Sequence, residues 1–186
     1  MITPEQITEH VQQWLDNVVI GLGLCPFAEQ PVVDNRHRIV VLETASIEVV
    51  LEALGREFDH LAASDTLMLE TSLLILPSFL PDFLDFNDFM SLANQFLSSN
   101  NWSGVFQLAS FHPGYQFLGT ASEAATNFTN RSPYPIVHIL RERSVSWAVA
   151  NYPDIDAIPE RNMAIMNALS LEQITHLFPN IKLKTV

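Results

Sequence analysis

The chain has 186 residues, 48% of them apolar, with nine Lys plus Arg against 21 Asp plus Glu and a formal net charge of −12. Length and apolar content fit a single globular domain spanning residues 1–186 and exclude a disordered polyanion, and one Cys excludes both an internal disulfide framework and an all-Cys metal cage. The charge argues against non-specific nucleic-acid binding and against a peripheral role on anionic membranes, since both need clustered Lys and Arg.

Thr3-Pro4-Glu5-Gln6 reads as a helix start, with Thr3 as N-cap, Pro4 in the first helical position and Gln6 closing a capping box. The stripe Ile7, Val11, Trp14, Leu15, Val18, Val19, Leu22 follows at helical spacing until Gly21 and Gly23 end it. Leu24-Cys25-Pro26-Phe27 then leaves in a turn. Arg38 to Glu43 reads as a buried strand, preceded by Arg36 and His37. Ser46 caps a second helix with the stripe Val50, Leu54, Phe58, Leu61, and Leu73 to Leu76 is a second strand stopped by Pro77.

A third helix carries Phe83, Phe86, Phe89, Met90, Ala93, Phe96 and Leu97 on one face, which reads as core. Gly104 to Phe111 is a third strand and Ile136 to Leu140 a fourth, with an aperiodic stretch between Phe111 and Pro135. Helical segments follow near Ser144–Asn151, Pro159–Leu169 and Leu171–Phe178, then a tail expected to fray over 181–186. This order predicts an α/β layered domain with a mainly parallel or mixed sheet of about four strands, covered by helices.

The N-terminus has no positive stretch followed by an apolar one, and the uncharged run Phe89 to Ser122 contains too many amides and hydroxyls to sit in lipid. Val18 to Ala28 is too short to span. A cytoplasmic location is the expectation.

Long aperiodic loops in compact domains are often functional. From Gly104 to Arg143 the chain carries three Arg and two acids, while the remainder carries six basic and nineteen acidic residues. The irregular region is therefore also the non-acidic one. It contains Phe111-His112-Pro113-Gly114-Tyr115-Gln116-Phe117 and Asn130-Arg131-Ser132-Pro133-Tyr134-Pro135-Ile136-Val137-His138-Ile139-Leu140-Arg141-Glu142. Together with Leu24-Cys25-Pro26-Phe27-Ala28, these elements resemble, in order and across nearly the whole chain, the bacterial family catalogued as domain of unknown function 1415. The resemblance implies a bacterial cytosolic setting and names no substrate. The family pattern often has an acidic residue at the position that is Gly114 here, which counts against assigning an acid to this loop.

Each candidate has a structural reading and a chemical one. Cys25 follows a helix C-terminus, where the dipole disfavours a thiolate; as a nucleophile it would need His112 or His138 beside it. His138 shares a strand face with Ile136 and Leu140, so it is either a satisfied core histidine or one rigidly aimed at a site. His112 lies just past a strand's carboxyl end, where ligands gather in α/β sheets. Arg131 suits bidentate capture of a carboxylate or phosphate, or else pairs with an acidic neighbour. Arg141 points to the face opposite His138. Ser132-Pro133-Tyr134-Pro135 sets the chain's approach to the last strand, with a cis bond before either Pro as an option.

Metal ligation could draw on Cys25, His112, His138 and Glu142, but no close pair has the short spacing of structural zinc sites, and no familiar nucleotide motif occurs. No metal is expected, and any cofactor is left unknown. The leading expectation is a polar pocket at the strand ends that takes a small anionic molecule. Arg131, Asn130 and Arg141 would bind it, Tyr115 and Tyr134 would wall it, and His112, His138 and Cys25 would carry any chemistry. The alternative is a non-catalytic interaction module that docks a protein through the 111–135 loop.

Overall fold

A computed structural model describes residues 2–181. The predicted tail falls almost wholly on residues 182–186, outside the described residues. The first helix, α1 (Pro4–Trp14), starts as the sequence predicts: the Thr3 hydroxyl accepts from the Gln6 backbone N–H and the Gln6 side chain accepts from the Thr3 N–H. It runs on without a break into a π-helical segment, Leu15–Ile20. A short helix α2 (Glu29–Val33) leads to β1 (His37–Val41), then α3 (Ile47–Ala63) to β2 (Thr71–Ile75), and α4 (Phe83–Ser99) to β3 (Phe106–Phe111). A 3₁₀ turn, Ala125–Asn130, interrupts the long loop before β4 (Ile136–Arg141). Helices α5 (Glu142–Asn151), α6 (Ile158–Ala168) and α7 (Leu171–Leu177) close the described chain.

The sheet is mixed, in the order β1-β2-β4-β3. β1 and β2 pair in parallel, and β4 lies antiparallel between β2 and β3. Three strands thus end on one edge, and β4 begins there, so the loop from β3 to β4 leaves and returns on the carboxyl edge of β1, β2 and β3. β2 is buried along its whole length because it is central and covered on both sides. One face packs Leu74, Val137, Ile139 and Phe106 against Val50, Leu54, Phe58, Phe86 and Ala93 of α3 and α4. The other packs Leu73, Ile75 and Ile136 against Ile7, Val11, Trp14 and Val18 of the first helix, with Met166, Ile174 and Phe178 from the C-terminal part.

The π segment depends on Gly21. A Cβ built there would lie 2.5 Å from the Asn17 carbonyl oxygen and 2.9 Å from that of Asp16, backbone atoms that cannot swing aside. Gly21→Ala is therefore expected to cost roughly 1–3 kcal/mol, the usual penalty of overpacking, and to shift Asn17. Chemical denaturation together with the amide chemical shifts of 15–21 checks both effects.

Among the described residues no helix is long and apolar enough to cross a membrane, and no peptide bond is cis.

Candidate functional site

His112 is almost completely buried, sandwiched by Phe83 and Phe86 at ring-centroid distances of 5.5 and 5.1 Å. Its Nδ1 accepts the Gly114 backbone N–H at 2.9 Å, so the proton resides on Nε2, which donates to the Leu80 carbonyl at 3.1 Å. Burial lowers its pKa, and the Leu80 carbonyl and Asp82 oppose this while Arg131 assists. Both nitrogens are committed, which makes this imidazole a clasp between the loop and the start of α4.

Arg131 is also buried. Nε donates to the Tyr115 carbonyl at 3.2 Å, Nη2 donates to the Ser122 carbonyl at 2.6 Å, and the guanidinium carbon sits 4.3 Å above the Phe128 ring. Burial lowers its pKa, and Glu123 pulls the other way as an acidic neighbour. The Arg131 carbonyl accepts the Trp14 indole N–H at 3.0 Å, tying the loop to α1. Asn127, wholly buried, does comparable work: Oδ1 accepts from the Phe117 N–H and the Thr120 hydroxyl, and Nδ2 donates to the Ala121 carbonyl. Asn130 joins through its carbonyl to the His112 N–H and through Oδ1 to the Thr129 hydroxyl. Tyr115 packs on Phe83 and Phe117, away from Tyr134. Asn127 and Arg131 thus spend their hydrogen bonds on the loop itself, and His112 ties it to the residues before α4.

Arg141 lies on the other sheet face, where Nη2 donates to the Leu61, Ser64 and Leu69 carbonyls and so closes the C-terminus of α3. His138 shares a face with His37 and Thr71. The Thr71 hydroxyl donates to the Ile139 carbonyl at 2.6 Å, so it accepts from His138 Nε2, also at 2.6 Å. Burial, reinforced by His37, pushes the His138 pKa down to about 4. His37 Nε2 bonds to Gln12 Oε1 at 2.9 Å, and its buried Nδ1 has no hydrogen-bond partner among the described residues.

Cys25 is partly buried beside the first helix, and no hydrogen bond joins it to either His112 or His138 among the described residues. Burial pushes its thiol up, against the backbone N–H groups of Phe27 and Ala28, which favour the thiolate. Iodoacetamide labelling of the folded protein should therefore show a midpoint above the ordinary ~8.5. A midpoint below that value would indicate an activated thiolate instead. Among the described residues no group of three or more His, Cys, Asp or Glu side chains is arranged to hold a metal ion.

An enclosed concavity lies elsewhere, at the margin of the loop. A cleft of about 430 Å³ is bounded by His10, Gln13, Trp14 and Asn17, by Pro133, and by His176, Phe178 and their neighbours up to Ile181. Its first wall is one helical face, at positions i, i+3, i+4 and i+7, with Asn17 carried by the π segment. Such segments recur at functional sites. His10 Nδ1 lies 2.8 Å from the Tyr134 hydroxyl, and the two rings are within 12° of parallel. Tyr134 stands behind His10 rather than on the cleft surface. Phe178 in the floor is locked edge-on against Phe128 of the loop at 5.0 Å. His10 and His176 were missed in the sequence: each sits alone in a polar stretch, and only the docking of α7 near α1 brings them to one cleft.

The family model described as "Protein of unknown function (DUF1415)" matches residues 6–176. The chain belongs to that family. The DUF1415 match takes in both CPFA and the loop, together with the α1 and His176 walls of the cleft. No curated protein and no solved structure matches the chain.

Proposed function

We propose that this is a cytoplasmic protein that binds a small anionic molecule, and that the α1–α7 cleft, rather than the interior of the 111–135 loop, is where it does so. The observation that carries this reading is the His10–Tyr134 pair at the wall of a ~430 Å³ cleft, a volume within the range of small-ligand sites. An apolar floor of Trp14, Pro133 and Phe178 with imidazole and amide groups around it is the composition expected of such a site. His112, Arg131 and Asn130 contribute by holding the loop that presents Pro133 and Tyr134.

The test is a panel of small organic acids followed by amide and side-chain chemical shifts. The expected outcome is perturbation confined to His10, Gln13, Asn17, 133–134 and 176–181, abolished by His10→Ala. Shifts centred on 111–124 instead, or survival of binding in His10→Ala, would refute the cleft as the site.

A further inference from the structure

The His112 clasp has two bonds, and only one of them depends on where a proton sits. A backbone N–H can only donate, so Nδ1 accepts from Gly114; a carbonyl can only accept, so Nε2–H donates to Leu80. The Nε2 side is the anchored one. Leu80 stands at φ 54°, a left-handed backbone that a leucine side chain cannot stabilise by a local hydrogen bond, and such conformations persist where surrounding contacts enforce them. On the Nδ1 side, the exposed Gly114 belongs to a strap, 113–116, that closes over the buried ring. Both ends of the strap are tied down: the His112 backbone N–H donates to the Asn130 carbonyl, and the Phe117 N–H to Asn127 Oδ1. Within it, Tyr115 donates its N–H to the His112 carbonyl and lays its ring against Phe83, with centroids 5.0 Å apart.

We propose that this strap is an acid-released latch: a proton taken up at His112 Nδ1 removes the acceptor of the Gly114 N–H, sets two N–H groups against each other, and lifts 113–116 off the ring, uncovering the Phe83 face at the carboxyl edge of the sheet while the Leu80 bond holds. Rotating the ring does not avoid the clash, because an imidazolium donates from both nitrogens. Lifting the strap also admits water to a cation that the closed form would hold between two phenylalanine rings. Of the charged groups packed around the ring, Asp82 at the head of α4 favours the imidazolium and Arg131 of the loop opposes it. The Asp82 side chain is itself spent on the Leu84 and Asp85 N–H groups, and the Tyr115 phenol, raised by burial, stays neutral throughout this range. Burial holds His112 below the ordinary ~6.5 when the strap is closed, so closure is favoured above that pH and weakens as pH falls through it. The latch shares no residue with the α1–α7 cleft and does not rest on that reading.

Amide hydrogen exchange and histidine ring-nitrogen NMR on the full chain, from about pH 7.5 down to about pH 5, test this. The expected result is that the protection of the Gly114 and Tyr115 amides, corrected for intrinsic exchange, falls by up to about tenfold per pH unit below ~6.5, in step with titration of the His112 ring. Contacts between the Tyr115 and Phe83 rings should fade over the same range, while the Phe117 amide, anchored on Asn127, keeps its protection. Two variants follow the mechanism. In His112→Asn the side-chain carbonyl can accept from Gly114 but does not titrate, so the pH response of Gly114 should vanish. Asp82→Asn keeps a helix cap and removes the group that favours the imidazolium, so the midpoint should move to lower pH; it provides the mechanistic check even if His112→Asn does not fold. Protection at Gly114 that stays constant while the His112 ring takes up its proton overturns the latch. So does loss of protection at Phe117 together with Gly114, which would mean that the whole loop or chain opens. A pH response that survives His112→Asn, or a midpoint indifferent to Asp82→Asn, overturns it as well.

Discussion

Replacing Arg131 with alanine is expected to destabilise the protein by about 3–5 kcal/mol, the cost of deleting two charged hydrogen bonds and a stacked cation from a buried setting. Nε and Nη2 reach the carbonyls of Tyr115 and Ser122, two points of the loop seven positions apart, and the guanidinium face covers Phe128. Without the side chain the half-buried Tyr115 carbonyl loses the Arg131 donor, the Ser122 carbonyl keeps only the longer bond from Asn127 Nδ2 at 3.4 Å, and Phe128 loses part of its cover. Arg131→Lys should recover less than half of the loss, because one ammonium cannot donate along two fixed directions and stack at once. Urea denaturation gives the magnitude, and limited proteolysis gives the location: new cleavage should appear within 111–135 before the rest of the chain opens. A folding free energy unchanged in Arg131→Ala would mean that the arginine is free to serve a ligand, as its residue type first suggests.

The second large effect is on pH. His138 has its pKa pushed from the ordinary 6.5 to about 4 in the folded protein, by burial and by His37. The unfolded chain therefore binds this proton more readily than the folded one. Stability is fully present above pH 6.5 and drains away as pH falls toward 4. Linkage sets the loss from this residue at about 2 kcal/mol between pH 7.5 and pH 5. His112, also lowered by burial, acts in the same direction. Folding free energies at the two pH values, in wild type and His138→Gln, provide the check. The amide of Gln can still donate to Thr71 but does not titrate in this range, so the pH-dependent part should shrink by about 2 kcal/mol in the variant, whatever its absolute stability. An unchanged pH slope would show that His138 protonates freely in the fold.

These two residues illustrate why residue type overstates chemistry. Arg, His, Asn and Tyr gathered in an irregular, non-acidic stretch look like a site from their lack of periodicity alone. A long loop packed on a sheet edge must also satisfy its own backbone, and it needs polar side chains to do so. Asn127 spends its amide this way, Arg131 its Nε and Nη2, and His112 both nitrogens. Tyr134 differs. Its hydroxyl reaches out of the loop to His10 on another element, and there the cleft begins.

The strands, the main helices, the Thr3 capping box, the Ser46 cap and the opposite facing of His138 and Arg141 were legible in the sequence, because each rests on interactions within a few residues or on the two-residue strand period. The family was legible as well, since its motifs are contiguous. Only the tertiary structure decided that β4 inserts between β2 and β3, that helices cover both faces, and that the last helix settles near the first. Strand order and helix docking depend on which strands and apolar faces meet across separations far longer than any helical or strand period, and no local period carries that information. The cleft is a product of that docking. His10 and His176, 166 positions apart, are ordinary surface-type residues in sequence and become walls of one cavity once Trp14 and Phe178 have packed around the loop.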